Sequence, residues 1–309
     1  MFESGVKLSQ FSSYKIGGPA RFFYAPKTAA ELIHGVERAK NEKLPIFVLG
    51  GGTNLLISDA GFMGLVLKPN LTRMKTESPA IVADAGVSMS DLLDFAAGKG
   101  LSGLEWAGGL PGTLGGAIRG NAGAFGGEIK DSVAEVASLD ISGRESKIMK
   151  RDNAECKLVY RSSIFKNRNG KEIVLSAVLN LHKGDKRQIR DSIDEKINYR
   201  KAKHPMEYPN VGSIFKNTDA KFVDAKLLKA WKAVLKTDPF PVIPTAHIIS
   251  EAGLKGVSFG GAMISPKHPN FIVNALGATA EDVKALIGLV KKTVRQKFGL
   301  QLEEEVMYL

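Results

Sequence analysis

Leu110-Pro111-Gly112-Thr113-Leu114-Gly115-Gly116-Ala117-Ile118-Arg119-Gly120-Asn121-Ala122-Gly123-Ala124-Phe125-Gly126 holds six glycines in seventeen residues. With its flanks, from Gly98 to Gly127, it concentrates twelve of the chain's 33 glycines. Glycine costs about 1 kcal/mol in a helix interior, so this density argues against a regular element and makes the backbone itself the working surface. Two glycine-lined loops with Thr113 and Asn121 between them would let a flat, phosphorylated cofactor lie close to the main chain. A dinucleotide fingerprint occurs literally as Gly98-Lys99-Gly100-Leu101-Ser102-Gly103. It closes a helix instead of following a strand, and reads as a helix cap and turn.

Working toward the N-terminus, Ile46-Phe47-Val48-Leu49 runs into Gly50-Gly51-Gly52-Thr53-Asn54-Leu55-Leu56-Ile57. Successive glycines after an apolar strand can aim several N–H groups at one anion, with Thr53 and Asn54 adding side-chain bonds. A tight strand-turn-strand corner explains the spacing equally well, and no Walker lysine follows. Upstream, Arg21 to Ala25 and Ile46 to Leu49 read as strands flanking a helix from Thr28 to about Lys43, with Leu32, Ile33, Val36 and Ala39 on its buried stripe. Leu55 to Ile57, Gly64 to Leu67 and Ile81 to Asp84 read as short strands, and Ser90 to Gly98 as a helix stopped by glycine.

Downstream, strands are expected near Val133 to Leu139 and Ile173 to Leu181, then a charged helix from Asp185 to Ala202. His204 to Pro209 marks a domain boundary. Beyond it come a basic, helix-like segment from Lys221 to Lys236, a turn region with Pro239, Pro241 and Pro244, and a strand at Phe271 to Val273. A final helix starts at Thr279 with Asp282 three residues on, a capping-box pattern, and ends at Gly299.

The chain has 309 residues, enough for about two domains. One cysteine, Cys156, excludes an internal disulfide or a cysteine-based zinc site and points to a reducing, cytoplasmic setting. Five histidines show no ligand spacing, so no metal is expected. The first residues carry Glu3 and no apolar core, and no apolar run is long enough to span a bilayer. Asn70-Leu71-Thr72, a glycosylation pattern, therefore reads as a plain loop. The net charge of +11 suits nucleic acid, an anionic membrane or small polyanions. Because the basic residues are mixed with acids and aromatics make up only 7%, neither nucleic acid nor membrane is expected as a partner.

Taken together, these stretches resemble the UDP-N-acetylenolpyruvoylglucosamine reductase (MurB) family of flavoenzymes. The resemblance runs through Tyr14 to Ala20, Leu49 to Ser58, Leu110 to Gly127, Tyr160-Arg161-Ser162-Ser163-Ile164-Phe165 and Lys203-His204-Pro205. It continues through Gly212-Ser213-Ile214-Phe215-Lys216-Asn217, Glu251 to Gly256, Lys267-His268 with Phe271 to Asn274, and Glu305-Val306. It implies an α+β protein with a two-lobed FAD-binding domain of the PCMH/vanillyl-alcohol-oxidase-like type and a C-terminal α+β substrate domain. The expected boundaries are 1–70, 71–203 and 204–309.

The implied reaction uses NADPH to reduce non-covalently bound FAD, which then passes hydride to C3 of an enolpyruvyl UDP-sugar, with C2 protonated afterwards. This is a cytoplasmic step of peptidoglycan precursor synthesis, performed by a monomer. By resemblance, Ser213 gives the proton, and Arg161 and Glu305 polarise the substrate carboxylate and stabilise the intermediate. Glu305 could help only if protonated or paired with Arg161. Its choice over Glu303 and Glu304 rests on the Leu302 to Val306 frame.

FAD is implied to rest on Leu49, Gly50, Gly51, Gly52, Thr53, Asn54, Leu55, Pro111, Gly112, Thr113, Gly115, Gly116, Asn121, Ala122 and Gly123. The nucleotide-sugar is implied to meet Tyr160, Lys203, Lys216 and Asn217. The short interval from Arg161 to Ser213 resembles the subclass that lacks an extra tyrosine-bearing loop. Phe125 stands where the family usually has tyrosine, and Thr218 to Thr245 is longer and more basic than the resemblance implies. A flavin oxidase of the same superfamily is the nearest rival, but many of those attach FAD to histidine, and none lies here between His34 and His182.

Overall fold

A computed structural model of the chain describes residues 1–77, 79–238 and 240–309. The turn expected at Pro239 lies outside the described residues. The chain forms two compact units, one of residues 1–6, 20–51 and 62–200, the other of 7–19, 52–61 and 201–309.

The first unit contains two sheets and two apolar cores, one of which takes residues from both sheets. One sheet has four strands in the order Glu3–Lys7, Pro19–Tyr24, Phe62–Leu67, Ile46–Val48, and the last three run parallel. The helix Ala29–Asn41 links two of them, opened by Thr28, whose hydroxyl accepts from the Glu31 N–H. Leu32, Val36 and Ala39 are fully buried beneath it, while Ile33 lies only partly covered at the margin of the stripe.

The other sheet is antiparallel, in the order Lys147–Asp152, Val133–Asp140, Glu172–Asn180, Ala80–Asp84, Met74–Glu77. The helix Met89–Gly98 packs on this core from a Ser88 cap, and the residue that turns left-handed after it is Gly100, not Gly98.

Within the glycine-rich stretch, the expectation that no regular element forms is corrected: Leu114–Gly120 is a helix. Gly115 lies so close to Ala85 that an added Cβ would sit 2.9 Å from the alanine's Cβ, so the cost of glycine is offset by close helix packing.

Cys156 is buried in this core, and burial pushes its thiol up to about 11. A thiol reagent at about pH 8 should leave the folded protein unlabelled and find one group on unfolding. Full labelling in native buffer would show that this core opens readily.

The second unit is built around the helix Ala280–Phe298, which packs on the antiparallel sheet Ser258–Phe259, Ala262–Ile264, Ile272–Asn274. Thr279 and Asp282 form the expected capping box and left-handed Gly299 ends the helix. Tyr14 and Ile16, from early in the sequence, are buried in this unit's core, and the Tyr14 hydroxyl donates to the carbonyl of Ile272.

The basic segment Lys221 to Lys236 is not one helix. It breaks into short turns at Ala220–Phe222 and Lys232–Val234 around the helix Ala225–Ala230, because Asp219 and Asp224 each cap the turn that follows them.

Candidate active site

The turn after Ile46–Val48 carries the first candidate cofactor residues. Leu49 is buried and donates its N–H to Leu67, anchoring the turn to the sheet. Among the described residues, none accepts a hydrogen bond from the N–H groups of Gly50, Gly51, Gly52 or Thr53. Gly52 is buried and its three neighbours are partly exposed, so the run presents successive N–H donors that fit an anion such as a diphosphate.

Space requires Gly52 as well, and Gly50 is closely packed. A Cβ on Gly50 would lie 3.0 Å from Thr113 Oγ1, and one on Gly52, whose φ is +64°, would lie 1.9 Å from the Phe11 carbonyl oxygen. Asn54 and Leu55 also tie the turn to residues 305–308. Asn54 donates its side-chain amide to the Glu305 carbonyl and accepts from the Met307 N–H, while Leu55 and Leu56 pair in parallel with Met307 and Tyr308.

In the second glycine stretch, Pro111 is exposed, Gly112 has φ +113°, and Thr113 caps the helix Leu114–Gly120 through Gly116. Gly116 is exposed, and Ala122 and Gly123 are partly exposed, leaving bare main chain for a flat ring to approach. The Asn121 side chain is not available in this way, because it is fully buried and bonded to Glu128, Val159 and Lys130. These glycines and free donors fit FAD through the backbone more than through side chains.

Arg161 sits at φ +54°, in the tight turn closed by reciprocal bonds between Val159 and Ser162. Its guanidinium donates to the Gly123 carbonyl at 3.2 Å and stacks on the Tyr160 ring, 5.3 Å from its centroid. Arg200 belongs to the same neighbourhood, and the sequence reading missed it as part of a solvated charged helix. It donates to Gly108, lies over Phe125 and keeps Nη2 buried without a partner among the described residues. Burial pushes this guanidinium below its ordinary value, and the charge of Arg161 adds to the effect. Two cations held this close favour a bound anion. The sequence signal was weak: aligned glycines at 108 and 109 leave room for Arg200 only once the helix is in place.

In the second unit, Ser213 follows left-handed Gly212 and is partly exposed. Its neighbours are pinned: Ile214 donates to Asn270 and accepts from Glu305, and Phe215 exchanges bonds with the Asn270 side chain. Ser213 and Glu305 therefore lie on adjacent antiparallel segments bridged at Phe215 and Glu304. The three consecutive glutamates separate clearly. Glu303 pairs with Lys216, Glu304 with Lys291 and the Tyr308 hydroxyl, and Glu305 is held through its backbone. Lys216 is thus brought beside this strand, Asn217 accepts from the Thr245 N–H, and Lys203 is exposed at the end of its helix.

Among the described residues there is no group of histidine, cysteine or acidic side chains that could hold a metal ion, and no helix long and apolar enough to cross a membrane.

Comparison with known proteins places this geometry. Residues 20–148 match an FAD binding domain, and residues 204–309 match the C-terminal domain of UDP-N-acetylenolpyruvoylglucosamine reductase. The UDP-N-acetylenolpyruvoylglucosamine reductase of Caldanaerobacter subterraneus is 39% identical over 300 residues, covering 97% of this chain and 90% of that protein. The enzyme of the same name from Listeria monocytogenes is also 39% identical, over 97% of this chain and 92% of its own length. The crystal structure of the Thermus caldophilus MurB covers all of this chain and 98% of that one, with a TM-score of 0.78 at 29% identity. The fold is α+β, an FAD-binding part followed by a C-terminal substrate domain, and the chain is an FAD-dependent oxidoreductase that belongs to the UDP-N-acetylenolpyruvoylglucosamine reductase family.

Proposed function

We propose that the protein reduces UDP-N-acetyl-3-O-(1-carboxyvinyl)-α-D-glucosamine to UDP-N-acetylmuramate, taking electrons from NADPH. The observation that carries the reading is a partly exposed serine and a backbone-clamped glutamate on neighbouring segments of the unit that also carries Lys216. When bound, FAD supplies hydride chemistry that no side chain can perform. The chain itself must bind two polyanions, hold the enolpyruvyl group still and deliver a proton.

Leu49 to Leu55, Pro111 to Thr113, Gly115, Gly116 and the main chain of Asn121 to Gly123 hold the cofactor in this reading. The Arg161 guanidinium, a planar fork of donors, takes the substrate carboxylate and stabilises charge as it grows there. Ser213 hands its hydroxyl proton to C2. Glu305 supports the carboxylate region, and Tyr160, Lys203, Lys216 and Asn217 hold the nucleotide-sugar. For Lys216 to meet a phosphate it must leave Glu303, whose side chain is 72% exposed and free to swing away.

A division at 1–70, 71–203 and 204–309, a monomeric state and a cytoplasmic location belong to the same proposal. The positive charge of +11 suits these substrates, since a basic surface raises the local concentration of polyanions.

The test follows the visible absorbance of FAD-loaded protein without oxygen. NADPH should bleach the flavin band, and the UDP-enolpyruvyl sugar should restore it. Recovery with oxygen alone would favour an oxidase, and no flavin binding would overturn the reading altogether.

A further inference from the structure

The side chain of Asn121 is fully buried, and both its amide nitrogen and its amide oxygen are engaged. Nδ2 donates to Glu128 Oε2 at 3.2 Å and to the Val159 carbonyl at 3.0 Å, while Oδ1 accepts from the Lys130 N–H at 3.2 Å. Two acceptors on one side and a main-chain donor on the other fix the amide's orientation. Glu128 is itself buried and held by Lys130 Nζ at 2.6 Å. Asn121 also takes φ +43°, which a short polar side chain tolerates better than most.

The Val159 carbonyl that receives this amide closes the turn carrying Tyr160 and Arg161, since it also accepts from the Ser162 N–H at 2.9 Å. Arg161 stands in that turn in a left-handed conformation that a non-glycine residue adopts only when its surroundings enforce it. Two further bonds hold it: Lys166 Nζ donates to its carbonyl at 2.9 Å, and its guanidinium reaches the carbonyl of Gly123, two residues beyond Asn121. The same short segment thus grips Arg161 from both ends, by its backbone through Val159 and by its head group through Gly123.

We propose that Asn121 is a positioning residue for Arg161: its buried amide fixes the Val159–Ser162 turn and so sets where the guanidinium meets the substrate carboxylate. The inference rests on the carboxylate-binding role given above to Arg161. Its consequence is a division of labour within the glycine stretch, in which main chain receives the cofactor while this one side chain serves the other reactant.

The test compares Asn121→Gly, which keeps the left-handed backbone and removes the amide, with Asn121→Asp, which keeps the shape and turns an acceptor toward Glu128 and Val159. Because the main chain at this position is also placed against FAD, each variant is compared on its FAD-loaded fraction, with reduction by NADPH as the internal reference. Reoxidation by the UDP-enolpyruvyl sugar should slow by roughly 10²-fold, the effect of an arginine misplaced by about 1 Å. In the flavin-free protein, hydrogen exchange at the Ser162 amide should rise, a readout independent of turnover. Unchanged exchange at Ser162, or reoxidation that slows no more than reduction by NADPH, would each overturn the proposal. Arg161→Ala, run alongside, separates the two readings: if it reoxidises normally, the role of Arg161 fails, whereas slow Arg161→Ala with normal Asn121 variants removes the positioning role alone.

Discussion

Ser213→Ala should bind FAD and accept electrons from NADPH at close to the parental rate, and be reoxidised by the UDP-enolpyruvyl sugar about 10³-fold more slowly. The substitution removes one oxygen atom from a partly exposed side chain. Its neighbours keep their bonds, because Ile214 and Phe215 are fixed through their backbones to Asn270 and Glu305. A factor of 10³ corresponds to about 4 kcal/mol in the barrier, within the range for losing a positioned proton donor. Rapid-mixing absorbance would resolve the two half-reactions. Equal slowing of both would contradict the proton-donor role, since the serine has no part in accepting electrons from NADPH. Ser213→Cys, which keeps a donor of lower pKa at the same place, should fall between the two.

Gly52→Ala should destabilise the protein and deplete it of FAD together. The new methyl would sit 1.9 Å from the Phe11 carbonyl oxygen and 3.2 Å from the Ser12 Cα, in a residue whose φ of +64° already disfavours any side chain. Backbone conformation accounts for about 1–2 kcal/mol and forced displacement for about 1–3 kcal/mol, so a loss of roughly 3 kcal/mol is expected. The clash is with main chain, which no rotamer change relieves. Ser13 also donates its N–H to the Gly52 carbonyl, so shifting the turn disturbs the 7–19 segment with it. Calorimetry together with the flavin-to-protein absorbance ratio would check the result. A variant with parental melting temperature and full FAD content would show that this turn is neither tight nor part of the cofactor site.

Local signals in the chain were readable because their physics is local. Thr28 and Thr279 announce helix starts because their hydroxyl oxygens accept the backbone N–H three residues on, and Gly299 ends a helix by taking a conformation other residues avoid. Strand Lys147–Asp152 escaped detection because it is an edge strand, mostly exposed and rich in charge, with no buried alternation to reveal it. The helix Leu114–Gly120 escaped because its Gly115 answers to Ala85, thirty residues away, and not to helix propensity.

The candidate site was legible in the same uneven way. Residue types and motif frames pointed to Arg161, Ser213 and Glu305, but no pattern along the chain says that Glu303 and Glu304 are engaged elsewhere. That follows from where Lys216, Lys291 and Tyr308 fall in space. Arg200 and the committed amide of Asn121 are hidden for the same reason: their burial depends on Gly108 and Val159, both distant in sequence.

Tyr14, Ile16 and Leu56 belong to a core otherwise formed by residues after Lys201, so they emerge from the ribosome long before most of their packing partners exist. At about 5–20 residues per second, the segments 7–19 and 52–61 wait roughly twelve to sixty seconds for that core, which extends to Val306, to be synthesised. During that interval a tyrosine and several aliphatic side chains destined for complete burial are open to chaperones and to one another. The second unit, and with it Ser213 and Glu305, can therefore assemble only after Val306 has been made, however early the first unit begins to fold.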